Sequence, residues 1–448
     1  MRSSFASRLA WSAYTVAQAA MESRIPWDST ESLLRRQNRR VRRIIRFAWE
    51  HVPFYRREMV ARGLHPEDFR SAADLDLLPL IDGQIYARNP HLFQPQDALP
   101  TAGLVLQSSG TSGSTKQLRH DRRSLLLALA HGHRQRHVLA HFTGRVTGYR
   151  ELNLVRDGSV ASQIRSFYED HLWTPRRVDL TRVVLTPGEL PLDAEIARIN
   201  DFMPDVLMGY GSYLGALFLS AARRGLIIHR PKAAVYGADS MPAPDRAYLE
   251  TELGIPVIST YQSTEALRIG FQCELRRGLH VSIDAVAVRI ADAGGRTVPP
   301  GQPGDVIISN LTNRATVLLN YRLGDVAVFG SEPCPCGRTL PVIDSLEGRS
   351  DDLIHLADGR SLHALQVMRR LRTASSVERI QVVQQDHQSF SILAVDAGLP
   401  DRKAASSALV AELSSLTGSH PSISVEWVDA LPAGANGKTR LVISNLRS

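Results

Sequence analysis

The stretch SSGTSGSTK, residues 108–116, gathers small hydroxyl side chains and two glycines in front of a single lysine. Backbone N–H groups of such a turn, with Ser and Thr hydroxyls, can surround phosphate oxygens, and an ammonium can meet their charge. A Walker loop is excluded, because Thr115 rather than glycine precedes Lys116. Taken alone, the stretch is as well read as a solvated Gly/Ser turn. Lysine is informative here because it is rare: of the 53 basic residues only Lys116, Lys232, Lys403 and Lys438 are lysine, and arginine supplies the other 49. A compact, rotatable ammonium and a planar guanidinium are not interchangeable.

A second constellation could hold metal. Cys273, Cys334 and Cys336 are the three cysteines, and CELRRGLH adds His280. Three thiolates and an imidazole would complete a tetrahedral structural Zn²⁺ site tying a hairpin to the PCPCG turn. The alternative is three reduced cysteines and a surface histidine, since Cys-x-Cys is tighter than the usual Cys-x-x-Cys. Four protein ligands leave no open position, so such a metal has no catalytic part. His133, His137 and His141, at i, i+4 and i+8, read as a partly exposed helix face rather than a metal site.

The elements that must position these groups follow from pattern and composition. At 448 residues the chain is long enough for two or three domains. Hydrophobic residues at 43% and charged residues at 22% are those of a soluble globular protein, and no apolar run is long enough for a membrane span. The net charge of +8 is spread along the chain with only 6% aromatics and no interleaved basic-aromatic run, so small anionic ligands explain it without nucleic acid. An odd cysteine count without a secretory signal points to a reducing cytoplasm. Residues 1–21 read as an N-terminal helix in preference to a transit peptide.

Residues 33–52 have Val41, Ile44, Ile45, Ala48 and Val52 at helical spacing, with Pro53 as the stop. From about 101, short apolar runs (GLVLQ, AAVYG, PVIST) precede Gly- or Ser-rich turns and alternate with helical stretches, the α/β pattern. The phosphate-loop candidate then stands between a strand and the helix SLLLALAHGH. Residues 280–330 read strand, turn, strand, and the last hundred or so alternate again as a small α+β domain.

Further motifs complete a set. SSGTSGSTK resembles the phosphate loop of the adenylate-forming (acyl-CoA synthetase) superfamily, with Thr115 where proline is common. TYQSTEA (260–266), YRLGDV (321–326), GRSDD (348–352) and ANGKTR (435–440) resemble that superfamily's later motifs, in its order, with Gln262 replacing a glycine. HVPFYRREMVARGL, YGAD at 236, GQPGDVIIS at 301 and PCPCGRT at 333 resemble the phenylacetate-CoA ligase branch and its capsular polysaccharide biosynthesis relatives.

The resemblance implies an α/β adenylate-forming fold. Residues 1–349 would bind ATP and a carboxylic acid, with a helical part over about 1–100 and a β-rich, zinc-containing part over about 270–347. Residues 350–448 would form a small mobile domain. It implies that Ser109, Gly110, Thr111, Ser112, Gly113 and Lys116 cradle the β- and γ-phosphates, that Thr264 contacts the α-phosphate and that Glu265 holds Mg²⁺. Gly237, Ala238 and Asp239 would line the adenine with Tyr261 stacked on it and Gln262 beside them. Asp325 would bind the ribose, Arg349 would assist there, and Asp351 would be the hinge. Lys438 would bridge the acid's carboxylate and the α-phosphate, where positive charge is needed to bring two anions together. Aromatic or arylacetic acids are the implied substrates. The stretch DDLIHLADGRSLH is more like the capsular polysaccharide relatives, so the acceptor stays open among coenzyme A, a carrier-protein thiol and an amine. An alternative of another class is a non-catalytic, zinc-stabilised protein that binds nucleotide or nucleic acid. Oligomeric state has no signal in the sequence.

Overall fold

The computed structural model describes residues 3–96, 103–109, 115–173, 182–349, 353–363, 367–368, 370–371, 377, 379–395, 401–418, 421–428, 431–432 and 442–446. Two compact units result. One comprises Met1–Leu323 with Val328–Ser345, the other Gly324–Ala327 with Leu346–Ser448. No helix among the described residues is long and apolar enough to cross a membrane.

The first unit begins with helices. Ser4 caps Phe5–Glu22 by accepting from the Ser7 N–H, and Ser29 caps Thr30–His51 through Ser32. Leu33, Gln37, Val41, Ile44, Ile45 and Ala48 form the buried stripe of the second helix, and Pro53 opens the next one, Pro53–Ala61. These helices are tied inward by Arg134, which is fully buried. Its guanidinium is bidentate to Asp284 (Nη1–Oδ1 2.7 Å, Nη2–Oδ2 3.0 Å) and donates Nε–H to Glu22 at 2.6 Å. Arg40 adds a 3.3 Å contact to Asp284, and His131 lies 3.6 Å from Glu22. Two arginines thus face two carboxylates, and the group is neutral. Arg134's charge and hydrogen bonds hold Asp284 far below the usual carboxylate range, overcoming the upward push of burial.

A large sheet follows. Its order, edge to edge, is Val286–Ala291, Pro303–Asn310, Tyr321–Phe329, Val342–Arg349, Leu279–Val281, Leu267–Phe271, Val257–Ser263, Ala233–Gly237, Val206–Tyr210, Glu151–Leu154 and Arg182–Leu185. From Val257–Ser263 to Arg182–Leu185 the neighbours are parallel, whereas Leu267–Phe271 and Leu279–Val281 are antiparallel to theirs. Val257–Ser263 is therefore the seam between the two halves. In open α/β sheets ligands gather beyond the carboxyl ends of the parallel strands.

One local expectation changes. Leu104–Ser109 does not lead through its loop to a helix but pairs antiparallel with Thr115–His120, and only then does Arg122–His131 begin, capped by Asp121. The two ends of the phosphate-loop candidate, Ser109 and Thr115, are thus paired across two antiparallel strands, and the helix begins only after the second of them.

In the second unit, strands Ser422–Val428, Ser389–Val395, Arg379–Gln384 and Val442–Ser444 form a sheet in that order, and helix Arg402–Thr417 adds Leu409 and Leu413 to the core of Ile380, Val382, Phe390 and Ile392.

Candidate functional site

Three groups far apart in sequence converge on the hairpin. Lys116 Nζ donates to the Tyr321 hydroxyl at 3.0 Å and lies 3.8 Å from Glu265 Oε1, and the Tyr321 hydroxyl is 3.5 Å from the same carboxylate oxygen. Lys116 reaches them past Gly83, where any Cβ would collide with the ammonium. Burial, with Glu265 next to it, pushes the Tyr321 phenol far upward, so it stays a protonated donor. Glu265 Oε2 accepts no hydrogen bond among the described residues, which leaves one hard carboxylate oxygen for a cation such as Mg²⁺.

Thr264 and Glu265 sit in the turn that follows the seam strand. The turn is pinned from two sides: His120 Nε2 donates to the Thr264 carbonyl at 2.8 Å, and Asn310 Nδ2 donates to the Glu265 carbonyl at 3.0 Å. Burial pushes His120 down to about 4, so the ring is neutral and keeps that donor. Leu267, the first residue of the returning strand, has a φ of 62°, a left-handed conformation that closes the turn tightly. His120 and Asn310 carry no signal by spacing, and the fold recruits them; Tyr321 opens the YRLGDV motif but had no role assigned there.

Gly237 ends its strand against Thr260, with a Cβ position 2.5 Å from Thr260 Oγ1, and Ala238 has a φ of 70°. The Asp239 carboxylate is used at the start of helix Gly211–Arg223, accepting from the Gly211 N–H at 2.5 Å and from the Ser212 hydroxyl. Gln262 donates to Thr260 Oγ1 at 3.1 Å and is on the Gly237 side, and Tyr261 next to it is buried. Ser109 ends its strand opposite Thr115. Asp325 is half-buried in Tyr321–Phe329, and Arg349 ends Val342–Arg349. Gly110, Thr111, Ser112, Gly113, Asp351 and Lys438 lie outside the described residues.

The cysteines and His280 come together. Their ligand atoms all lie within 4.8 Å of one another, with Cys273 Sγ 3.8 Å from Cys334 Sγ and Cys336 Sγ 3.4 Å from His280 Nε2. Zn–S bonds of about 2.3 Å in a tetrahedron put sulfurs about 3.8 Å apart, so the donor set fits zinc. Burial pushes the Cys273 thiol up to about 12 and His280 down to about 4. Arg338 stands behind the site, paired with Glu274 at 2.8 Å and over the Trp27 ring at 4.8 Å. The histidine line does not form: the helix ends at His131, a 3₁₀ turn over Gly132–Gln135 carries His133, and a new helix starts at Arg136. His137 packs on Trp27 and His141 on Phe142.

Known proteins similar to the chain give its fold and relatives. Residues 355–445 match the family model of the CapK C-terminal domain. A phenylacetate-coenzyme A ligase of Thermus thermophilus is 27% identical over 343 residues, 72% of each chain. A 2-hydroxyisobutyryl-CoA ligase structure has a TM-score of 0.74 at 18% identity, covering 94% of this chain and 91% of its own. The amide bond synthetase McbA of Marinactinospora thermotolerans has a TM-score of 0.53 at 18% identity, over 90% and 92%. The chain has the adenylate-forming fold and is an AMP-forming ligase related to the phenylacetate-CoA ligases and CapK.

Proposed function

We infer that this AMP-forming ligase activates a small carboxylic acid by attack of its carboxylate on the α-phosphate of ATP, with release of pyrophosphate, and then passes the acyl group to a nucleophile. The convergence of Lys116, Glu265 and Tyr321 at the seam of the sheet carries this reading. It provides an ammonium for phosphate oxygens beside a buried carboxylate suited to Mg²⁺, with Thr264 in the same turn. ATP and Mg²⁺ are the cofactors proposed; Glu265 would hold the cation, which neutralises the departing pyrophosphate. Ser109 through Gly113 would complete the phosphate grip, residues 237–239 with Tyr261 and Gln262 the adenine side, and Asp325 with Arg349 the ribose side. Lys438 would supply the charge at the α-phosphate, with residues 350–448 as its domain and Asp351 as the hinge.

The names of the relatives favour an aromatic or arylacetic acid and coenzyme A as acceptor. An amine acceptor is the second reading, favoured by the likeness to an amide bond synthetase; a carrier thiol is a third outcome of the same assay. Zn²⁺ at Cys273, His280, Cys334 and Cys336 would be structural, and metal analysis of untagged protein should find about one zinc per chain; well under one removes it.

The decisive measurement is ATP–pyrophosphate exchange over a panel of carboxylic acids, with Lys438→Ala as control. Acid-dependent exchange should fall by about 10² to 10³ in the variant. Exchange that needs no acid, or that is undiminished in the variant, overturns the mechanism.

A further inference from the structure

Arg268 stands in the strand that returns from the Thr264–Glu265 turn, opposite Gln262. Its guanidinium lies against Gly132, where a Cβ would come within 3.3 Å of Cζ and Nη2. The side chain is half-buried, yet it makes no hydrogen bond and no ion pair among the described residues. Burial lowers its pKa, opposed by the nearby Tyr168 and Glu151. Neither is free to pair with it. The Glu151 carboxylate is bonded by Arg182 at 3.0 Å and Asn153 at 2.9 Å, and the Tyr168 hydroxyl donates to the Leu125 carbonyl at 2.9 Å.

The local charge is unbalanced. Arg136 and Arg268 both act on His133, which burial and these two cations push down to about 4, so it is uncharged. Arg182 acts on Arg268, and Arg136 with Arg182 on Tyr149. Arg182 and Arg268 therefore share one carboxylate, Glu151, and Arg136 adds a third cation nearby. A fixed, partly desolvated guanidinium without a partner is costly unless something anionic arrives to pair with it.

Its position says what that anion belongs to. Helix Arg122–His131 begins beside His120, which bonds the Thr264 carbonyl, and gives way at its other end to Gly132, against which Arg268 packs. Ten helical residues span about 15 Å. An acid whose reacting carboxylate lies by Thr264 and whose body runs along this helix would bring its far end to Arg268.

We propose that Arg268 is a specificity-determining residue that pairs with a second anionic group, a second carboxylate in the simplest case, on the far end of the acid substrate. This rests on the acid-activation reading above. A guanidinium fork pairs bidentately with a carboxylate, and a site built around such a bond discriminates strongly against a substrate that lacks it.

The test uses the full-length protein and pyrophosphate exchange with matched acids: phenylacetate against 4-carboxyphenylacetate, benzoate against terephthalate, butyrate against glutarate. In at least one pair kcat/KM should favour the diacid by about 10- to 100-fold. Arg268→Met should bring that ratio close to one, and Arg268→Lys should keep part of it. The proposal is overturned if the unmodified protein activates the monoacids with no preference for a diacid in any pair. It is equally overturned if Arg268→Met lowers both members of a pair alike, since Arg268 would then serve the reacting carboxylate. Should Arg268→Met fail to fold, the ratio in the unmodified protein decides. Exchange with none of the acids removes the acid-activation reading itself, and this proposal with it.

Discussion

Arg134 and Arg268 both act on His131, beside Gly132, and their surroundings are opposites. Arg134 is enclosed by Glu22 and Asp284, every bond short and the charge of the group balanced with Arg40. Arg268 has only a carboxylate already engaged by Arg182. Burial acts against both cations, but the two carboxylates raise Arg134 above its ordinary value while Arg268 falls below it. A buried charge with all its partners is part of the scaffold. One without them is a place where a ligand finishes the structure.

Substitution should separate the two most widely. Removing one partner of a buried pair strands the others, so Arg134→Met should cost about 3 to 5 kcal/mol in urea unfolding, leaving Glu22 and Asp284 exposed to each other's charge. A loss under about 1 kcal/mol would mean that the tie is not what holds the N-terminal helices.

Acid should separate them next. His120 and His133 are depressed to about 4, so they stay uncharged when folded but take up protons in the unfolded chain below about 6.5. Their contribution is present above that value and is lost as pH falls from about 6.5 to 4, at most about 3 kcal/mol for the fully buried His120. Asp284, depressed by Arg134, contributes above about 4 and is lost only as pH falls further. Stability that stayed flat from pH 6.5 to 4 in unmodified protein, or an unchanged slope in His120→Gln, would contradict the buried neutral imidazole.

The smallest effect belongs to Arg268→Met, which removes an unpaired, desolvated cation. Its unfolding free energy should stay within about 1 kcal/mol of the parent, or rise. A loss as large as that of Arg134→Met would erase the contrast and make Arg268 scaffold as well.

The sequence marks these regions unequally. Cys273, His280, Cys334 and Cys336 could be named together because metal ligands are restricted to few residue types and only three cysteines exist. Lys116 and Glu265 could be picked from ordered motifs, although their 3.8 Å approach is a product of the seam. His120 and Asn310 were illegible, since a histidine before a helix and an asparagine at a strand end have many uses and their partners are 144 and 45 positions away; Tyr321 opens YRLGDV, but that motif does not tell of its approach to Glu265, 56 positions away. The strand Thr115–His120 was hidden by its polar composition, and its hairpin partner supplies the pairing that propensity does not. The histidine line failed because the helix gives way to a 3₁₀ turn over Gly132–Gln135, which carries His133 out of the period of His137 and His141.

The Cys/His cluster has a consequence for the chain before it folds. Cys273 and Cys334 are 61 positions apart, and the segment between them contains Leu279–Val281, Val286–Ala291, Pro303–Asn310 and Tyr321–Phe329. A metal held at both ends closes that segment into a loop, and such a closure removes about 4 kcal/mol of denatured-state entropy by chain statistics. With zinc bound, most of the antiparallel half of the sheet would search for its register as a tethered ring, independent of the parallel strands that precede it.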